Sequence, residues 1–450
     1  MEESTQQITS AQRLRIFVTL VTTCVALALL STALNTALPP LMADLGVSAG
    51  VGQWAVSGYA CAMAVATPLT AFLSTRFPTR PLYLCALGLF LVGTFASALA
   101  PVFGVLMVGR VVQACANALI ANVTQVSIMS MFPKSERGRA MGWFGLATSA
   151  APIAAPALGG IVVDLAGWRW VFGCVGLICC VSFAAALVVM RNVLQTAPKP
   201  FDPVSFVLSL MAFGGLTIGL GNVVALGLAS PVVWGALAFG LVTAVFFVRR
   251  QLASSQPFLK VQIMAVRDFR VAVAASVLLY AVMMGAAAVL PLHIQGALGQ
   301  SATLSGLVVL PGAACTAAVS PVAGRLFDRF GVRALLLVGG VLSAVSCALM
   351  CLPALAASLP ALCVLNALRC TAVGMLTMPL MTWGNGAVPS MDMPHASALL
   401  TSLRNLAGAL GVAIFVGVFA VFGLMPCFVA LAVASALISL CALGAAALRP

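Results

Sequence analysis

At 450 residues with a mean hydropathy of +1.16, the chain is too apolar for a water-soluble fold: hydrophobic types make up 62% of it and charged types 7%, against about 45–50% and about 25% in ordinary globular domains. The expected fold class is therefore an all-α polytopic membrane protein, with most side chains facing lipid or one another. The net charge of +13 could suit nucleic acid, but the basic residues fall in short clusters between apolar runs rather than in a groove of interleaved aromatics, so no nucleic-acid partner is expected.

Apolar runs occur near 15–38, 51–74, 82–100, 103–131, 139–162, 169–190, 203–226, 231–248, 269–294, 303–324, 334–352, 359–384, 397–422 and 425–447. Fourteen spans of ~20–24 residues consume about 300 residues, which leaves no room for a sizeable extramembrane domain. The polar start, Met1 to Arg15, shows no cleavable signal, so the first span is expected to act as the anchor. An even number of spans puts both termini on one side, and the cations say which. Arg13, Arg15, Arg76, Arg80, Lys134, Arg137, Arg139, Arg191, Lys199, Arg249, Arg250, Lys260, Arg267, Arg270, Arg325, Arg329, Arg333 and Arg449 share a side, eighteen of the 22. The other side receives Arg169 alone, while Arg110, Arg369 and Arg404 lie inside spans. This split predicts cytoplasmic termini.

The chain repeats itself. Residues 71–80 read Ala-Phe-Leu-Ser-Thr-Arg-Phe-Pro-Thr-Arg, and residues 324–333 read Gly-Arg-Leu-Phe-Asp-Arg-Phe-Gly-Val-Arg. Four of ten positions agree, and both segments follow an even-numbered span on the basic side. Two homologous six-helix bundles, 1–195 and 263–450, are expected, with two inserted helices and their linkers at 196–262. Duplicated halves with a site between them are the plan of alternating-access transporters.

The second copy, with Gly324, Asp328, Arg329 and Arg333, resembles motif A of the major facilitator superfamily. Further along the resemblance, Leu106 to Gln113 looks like motif B, and Gly142, Ala151 and Ala155-Pro156-Ala157-Leu158-Gly159-Gly160 have the spacing of the antiporter motif. The run Asn35 to Pro39 is similar to that of fourteen-span drug:proton antiporters of the EmrB/QacA type. Met378 to His395 and Leu403 to Ala409 look like the lincomycin-resistance branch. The resemblance implies a bacterial inner-membrane exporter of drugs or small amphiphiles, coupled to protons by antiport. It implies a monomer working alone or with accessory export proteins. Two departures stand out: the first motif A copy, with Arg76 and Arg80, has Thr75 for aspartate and Pro78 for glycine, and Leu30 replaces the family's span-1 aspartate.

That second departure matters because none of the nine acids lies mid-span, whereas a coupling carboxylate belongs inside the cavity, where desolvation can bring its pKa into range. Asp44, at the outer end of span 1, and the two histidines, His293 and His395, are the remaining candidates for a proton site. Among the cations, Arg110, Gln113, Asn117 and Thr124 share a face of span 4. Mid-membrane arginines rarely face lipid, so Arg110, Gln113 and Asn117 are expected to line a cavity. Asn366, Arg369, Asn35, Trp143 and Trp383 are placed there too, and Arg404, nearer a helix end, in gating. Cations without a carboxylate favour an anionic or neutral polar substrate, which leaves open an anion exporter without proton coupling or a non-transporting scaffold.

On span 5, Ala147, Ala151, Ala155 and Gly159 recur every four residues, as close helix packing requires, with Pro152 and Pro156 placed to bend the helix. Arg76, Arg80, Ala155, Pro156, Gly159 and Gly160 are thus expected in conformational roles with the second motif A copy. No Walker A loop, hydrolase motif or Cys-x-x-Cys pair is present, so neither an enzyme, a metal nor a cofactor is expected.

Overall fold

Inside a bilayer each backbone N–H and C=O needs an internal partner, and a helix supplies one for each residue in turn. The computed structural model describes residues 9–52, 54–194, 196, 201–226, 230–254, 256–300 and 302–444, without the side chains of 49, 50, 156, 157, 224–226, 302 and 303. Lys199 and Arg449 lie outside the described residues, as does the side chain of Pro156. No strand occurs among them, and the long helices are α1 (Ser10–Leu45), α2 (Trp54–Arg76), α3 (Thr79–Ala98), α4 (Phe103–Met131), α5 (Arg137–Ala166), α6 (Trp168–Val189), α7 (Pro203–Leu226), α8 (Pro231–Ala253), α9 (Arg267–Leu292), α10 (Ala302–Leu349), α11 (Leu359–Gly386), α12 (Met393–Phe422) and α13 (Leu424–Gly444). Twelve are long and apolar enough to cross a membrane, or thirteen when the two segments of α5, bent by 43° between Ala155 and Leu158, form one span.

α10 is too long for a single straight crossing. Its 48 residues would run about 72 Å if straight, more than twice the ~30 Å hydrocarbon core. At Gly331 the backbone turns to φ 73°, ψ −179°, a region that L side chains avoid and glycine enters freely. Two arms, 302–330 and 332–349, therefore meet there. A Cβ on Gly374 of α11 would touch Thr316 of the first arm, and one on Gly339 of the second arm would touch Leu376. Both arms pass the same level of α11, so the chain folds back on itself at Gly331. Its repeat counterpart, Pro78, sits at φ −59° instead and starts α3, a value its ring already imposes.

Small residues set the helix spacing. Gly93 of α3 meets the backbone of Gly109 in α4, Gly215 of α7 meets Gly240 in α8, and Gly411 of α12 meets Ala281 in α9. Close backbone approach of this kind replaces the hydrophobic drive that lipid does not provide. α7 and α8 pack on each other, and α7 also touches α2 and α12. At the end rich in Arg and Lys, called the basic end below, Phe72, Phe201, Phe206 and Phe258 form one aromatic cluster. Beside it Asp202 caps α7 through the Ser205 N–H and pairs with Arg250 at 3.0 Å. The Arg250 guanidinium lowers the Asp202 carboxyl to about 2. All fourteen cysteines are free thiols.

Candidate functional site

α2, α4 and α5 face α9 to α12 across a cavity of about 390 Å³, within the range of small-molecule sites. Its apolar wall holds Met63, Phe144, Met283, Met378 and Met381; thioether chains are flexible and polarizable, and they adapt to ligands of different shape. Its polar wall includes Asn122 and Gln125 from α4, Thr148 from α5, and Arg404 and Asn405 from α12. Arg404 is the one charged group among the described lining residues. Its guanidinium lies 4.2 Å from the ring centroid of Tyr280, and its Nε is buried without a hydrogen-bond partner.

Toward the basic end the two walls close. Ser397 donates to Gln125 across the gap at 2.8 Å. Below that, α5 and α10 come together through glycine: a Cβ on Gly142 would lie 2.7 Å from the Ser320 carbonyl, and Gly138 and Gly324 meet backbone to backbone. The α5 N-cap, Glu136, makes no side-chain cap, so the first-turn N–H groups of Gly138 and Arg139 are orphan donors. Asp328 accepts both, at 2.8 and 2.7 Å. A carboxylate from α10 thus caps α5, favoured by the helix dipole, and locks this end. The first motif copy does otherwise. Thr75 bonds back to the Phe72 carbonyl of its own helix. Arg80 donates to the Leu187 carbonyl at the end of α6, and Arg76 lies over Phe72 and Phe77. Opposite that copy, α12 carries Pro394 in its first turn, which has no N–H to cap. Arg329 stacks on Phe330, and Arg333 is exposed.

The residues expected to line the cavity from α4 face elsewhere. Arg110 is 1% exposed; its Nε donates to the Ala55 carbonyl at 3.0 Å and its Nη1 to Gln113 at 2.8 Å, and it sits 3.9 Å over the Tyr59 ring. Gln113 passes the chain to Thr94 of α3, while Asn117 donates to the Tyr59 hydroxyl at 2.6 Å. This network pins α2, α3 and α4 together behind the cavity wall. Arg369 bonds Asn366 at 2.8 Å beside Gly312 of α10. Its Nη1 and the Asn366 Nδ2 are buried without partners. Trp383 is buried in the core of the α9–α11 region. Trp143 is exposed and borders a separate cleft with Phe17, Phe132 and Arg139. Asn35 is exposed and lies outside the cavity lining. Gly159 packs on Ala33 and Thr36 of α1, Ala155 is fully buried, and Gly160 faces open space.

None of the three expected proton sites lines the cavity either. Asp44 accepts from Trp168 at 3.1 Å and pairs with Arg169, which ties α1 to α6 at the end opposite the basic one. His293 is buried and bonds the Ala356 carbonyl at 3.0 Å. His395 is buried at the basic end, where its Nδ1 faces the Lys260 N–H and Lys260 Nζ pairs with Asp392 at 2.7 Å. Sequence reasoning misses Asn122, Gln125, Tyr280, Asn405 and the methionines. Taking Arg110 as zero, Gln125 and Asn122 lie roughly 60° and 120° around α4 at 3.6 residues per turn, so polar residues off the arginine stripe were the available signal.

The sequence profile described as the Major Facilitator Superfamily matches residues 20–266 and 271–450. The chain belongs to that family. It is 32% identical over 391 residues to an uncharacterized MFS-type transporter, YcnB, of Bacillus subtilis, covering 86% of this chain and 82% of the relative. Lincomycin resistance protein LmrB of Bacillus subtilis is 31% identical over the same shares. Multidrug export protein EmrB of Haemophilus influenzae is 26% identical, over 85% of this chain and 75% of its own. In fold, the chain superposes on the human organic anion transporter MFSD10 with a TM-score of 0.72 at 15% identity, covering 96% and 99% of the two chains. The proton:xylose symporter XylE gives 0.69 at 12% identity, covering 96% and 95%. This superfamily member is thus a multi-pass membrane transporter, not an enzyme, and its relatives include proteins named for drug resistance.

Proposed function

We propose that the protein is a secondary exporter of drugs or other small amphiphilic molecules, working by alternating access across the bacterial inner membrane. The observation that carries this reading is a methionine-walled cavity between α2, α4, α5 and α9 to α12, closed at the basic end by Asp328 and the glycines of α5 and α10. Relatives named for lincomycin resistance and multidrug export support the choice of cargo. In this reading the basic end is cytoplasmic, as the positive-inside rule asks, and both termini lie there. Each arm of α10 crosses once, which makes fourteen spans: six in 1–195, six in 263–450, and α7 and α8 between them. Asn122, Gln125, Arg404 and Asn405 contact cargo, Gly324 and Asp328 form the cytoplasmic gate, and Arg110 and Arg369 brace the helices behind it.

The test is accumulation in a pump-deficient bacterium expressing the full chain, with a cationic dye, a lincosamide and an acidic amphiphile as probes. Gly324→Leu serves as the blocked control, because its side chain would enter the Gly138 backbone. The expected result is lower accumulation of at least one probe, abolished by Gly324→Leu at equal membrane expression. Equal accumulation of every probe with and without the chain would refute export.

A further inference from the structure

The charge inventory of the cavity is lopsided. Arg404 lines it, its Nε buried without a hydrogen-bond partner, and no Asp, Glu, His or Lys is among the described residues that line it. Behind the wall, Arg110 and Arg369 are almost fully buried, and their bonds go to carbonyls, amides, a thiol and a ring. The three ion pairs found among the described residues all lie toward helix ends, at Asp44, Asp202 and Asp392. Three guanidinium charges therefore stand in the membrane region uncompensated by carboxylate. In a low-dielectric site such a field attracts an anion and repels a cation. Tyr280, already against the Arg404 guanidinium, and the methionines beside it offer a flat or irregular apolar body its contacts.

Resting on the exporter reading, we infer that the cargo is an organic monoanion with an apolar body, that Arg404 is its specificity-determining partner, and that membrane potential drives its export without a coupled proton. The geometry supplies one lining cation for one anionic group, so the loaded cavity is neutralised at Arg404 and the empty one is not. The driving force follows from charge alone. Moving one negative charge out of a cell whose interior is negative gains about 2.3 kcal/mol per 100 mV, a concentration ratio of about 50-fold. A carboxylate that exchanges a proton for cargo is then unnecessary, which accounts for a cavity wall without one and for Leu30 buried in α1.

The experiment uses the full chain in proteoliposomes at equal pH on both sides, with a valinomycin potassium potential of 100 mV, interior positive, and protein-free vesicles as the blank. Dansylglycine, a monoanion at neutral pH, should accumulate toward the 50-fold limit, and ethidium, offered with the potential reversed to interior negative so that a cation is driven inward, should not exceed the blank. With the potential clamped at zero, a pH step should produce no accumulation. Arg404→Gln should cut initial dansylglycine uptake by roughly ten-fold or more, the usual scale for losing a charge-assisted bond, and Arg404→Lys should keep most of it. Uptake driven by the pH step at zero potential, undiminished uptake by Arg404→Gln, or transport of ethidium in place of dansylglycine would each overturn the inference while leaving export standing. Transport of neither dye by the wild-type chain would also overturn the inference, and the exporter reading would then be decided by the accumulation assay with the lincosamide.

Discussion

Replacing Asp328 by asparagine tests the gate at its most exposed joint. The carboxylate accepts the N–H groups of Gly138 and Arg139, two first-turn donors of α5 that its own N-cap leaves unserved. A bond to a charged group contributes about 1.5–3 kcal/mol where it is buried, and the dipole of α5 adds some tenths more. Asp328 is half-buried, so a discounted total of about 2 kcal/mol is appropriate for the pair. Asparagine keeps one acceptor oxygen, turns an NH₂ toward the other donor, and removes the charge. Amide exchange in peptides covering residues 133–143 reads those donors directly and needs no engineered cysteine in a chain that has fourteen. The expected outcome is exchange accelerated about 30-fold, the factor equivalent to about 2 kcal/mol, with peptides from α3 and α6 unchanged. Unaltered exchange at Gly138 and Arg139 would refute the reasoning that Asp328 holds this end closed.

Arg110→Ala should lower thermal stability in detergent sharply, by the scale of a broken buried network, about 3 kcal/mol, since it strips Gln113 and Tyr59 of a partner at once. Arg404→Gln should leave the melting temperature within a few degrees, because it loses the Tyr280 stacking but no hydrogen bond from its Nε; a larger fall there would contradict its freedom to meet cargo. Gly159→Leu should cost about 1–3 kcal/mol by overpacking, because even a Cβ at that position approaches Ala33 to 2.8 Å. Gly160→Leu, facing open space, should be tolerated, and the two melting curves together check the orientation of the α5 ridge.

The two motif A copies show how a four-in-ten sequence identity can hide two different devices. Asp328 reaches across to α5 because α5 begins with free N–H groups and a glycine at the contact. Thr75 has a shorter side chain and no charge, and it stays on its own helix. At that copy Arg80 reaches the Leu187 carbonyl in the last turn of α6, a helix end that favours a cation. The asymmetry was legible in the substitutions Thr75 and Pro78, while the identity of each partner helix was not.

Sequence alone determined what depends on local pattern and solvent. The apolar run lengths, the clustering of basic residues at one end and the second motif copy follow from burial in lipid and from backbone geometry, both of which act residue by residue. A break between the apolar runs 303–324 and 334–352 was legible too, but not that Gly331 would carry the reversal, since Pro78 joins the corresponding runs at φ −59°. Tertiary structure decided which arginine meets the cavity. Helical periodicity says that Arg110, Gln113 and Asn117 share a face, but it is silent on whether that face meets open space or a neighbour. Here it meets α2, which satisfies the arginine, and α3, which satisfies Gln113, while Arg404, about three turns into α12, comes to stand on the cavity wall. The reason is physical: a buried guanidinium is placed by whichever polar atoms come within reach, and for Arg110 the deciding ones, the Ala55 carbonyl and the Tyr59 ring, belong to another helix.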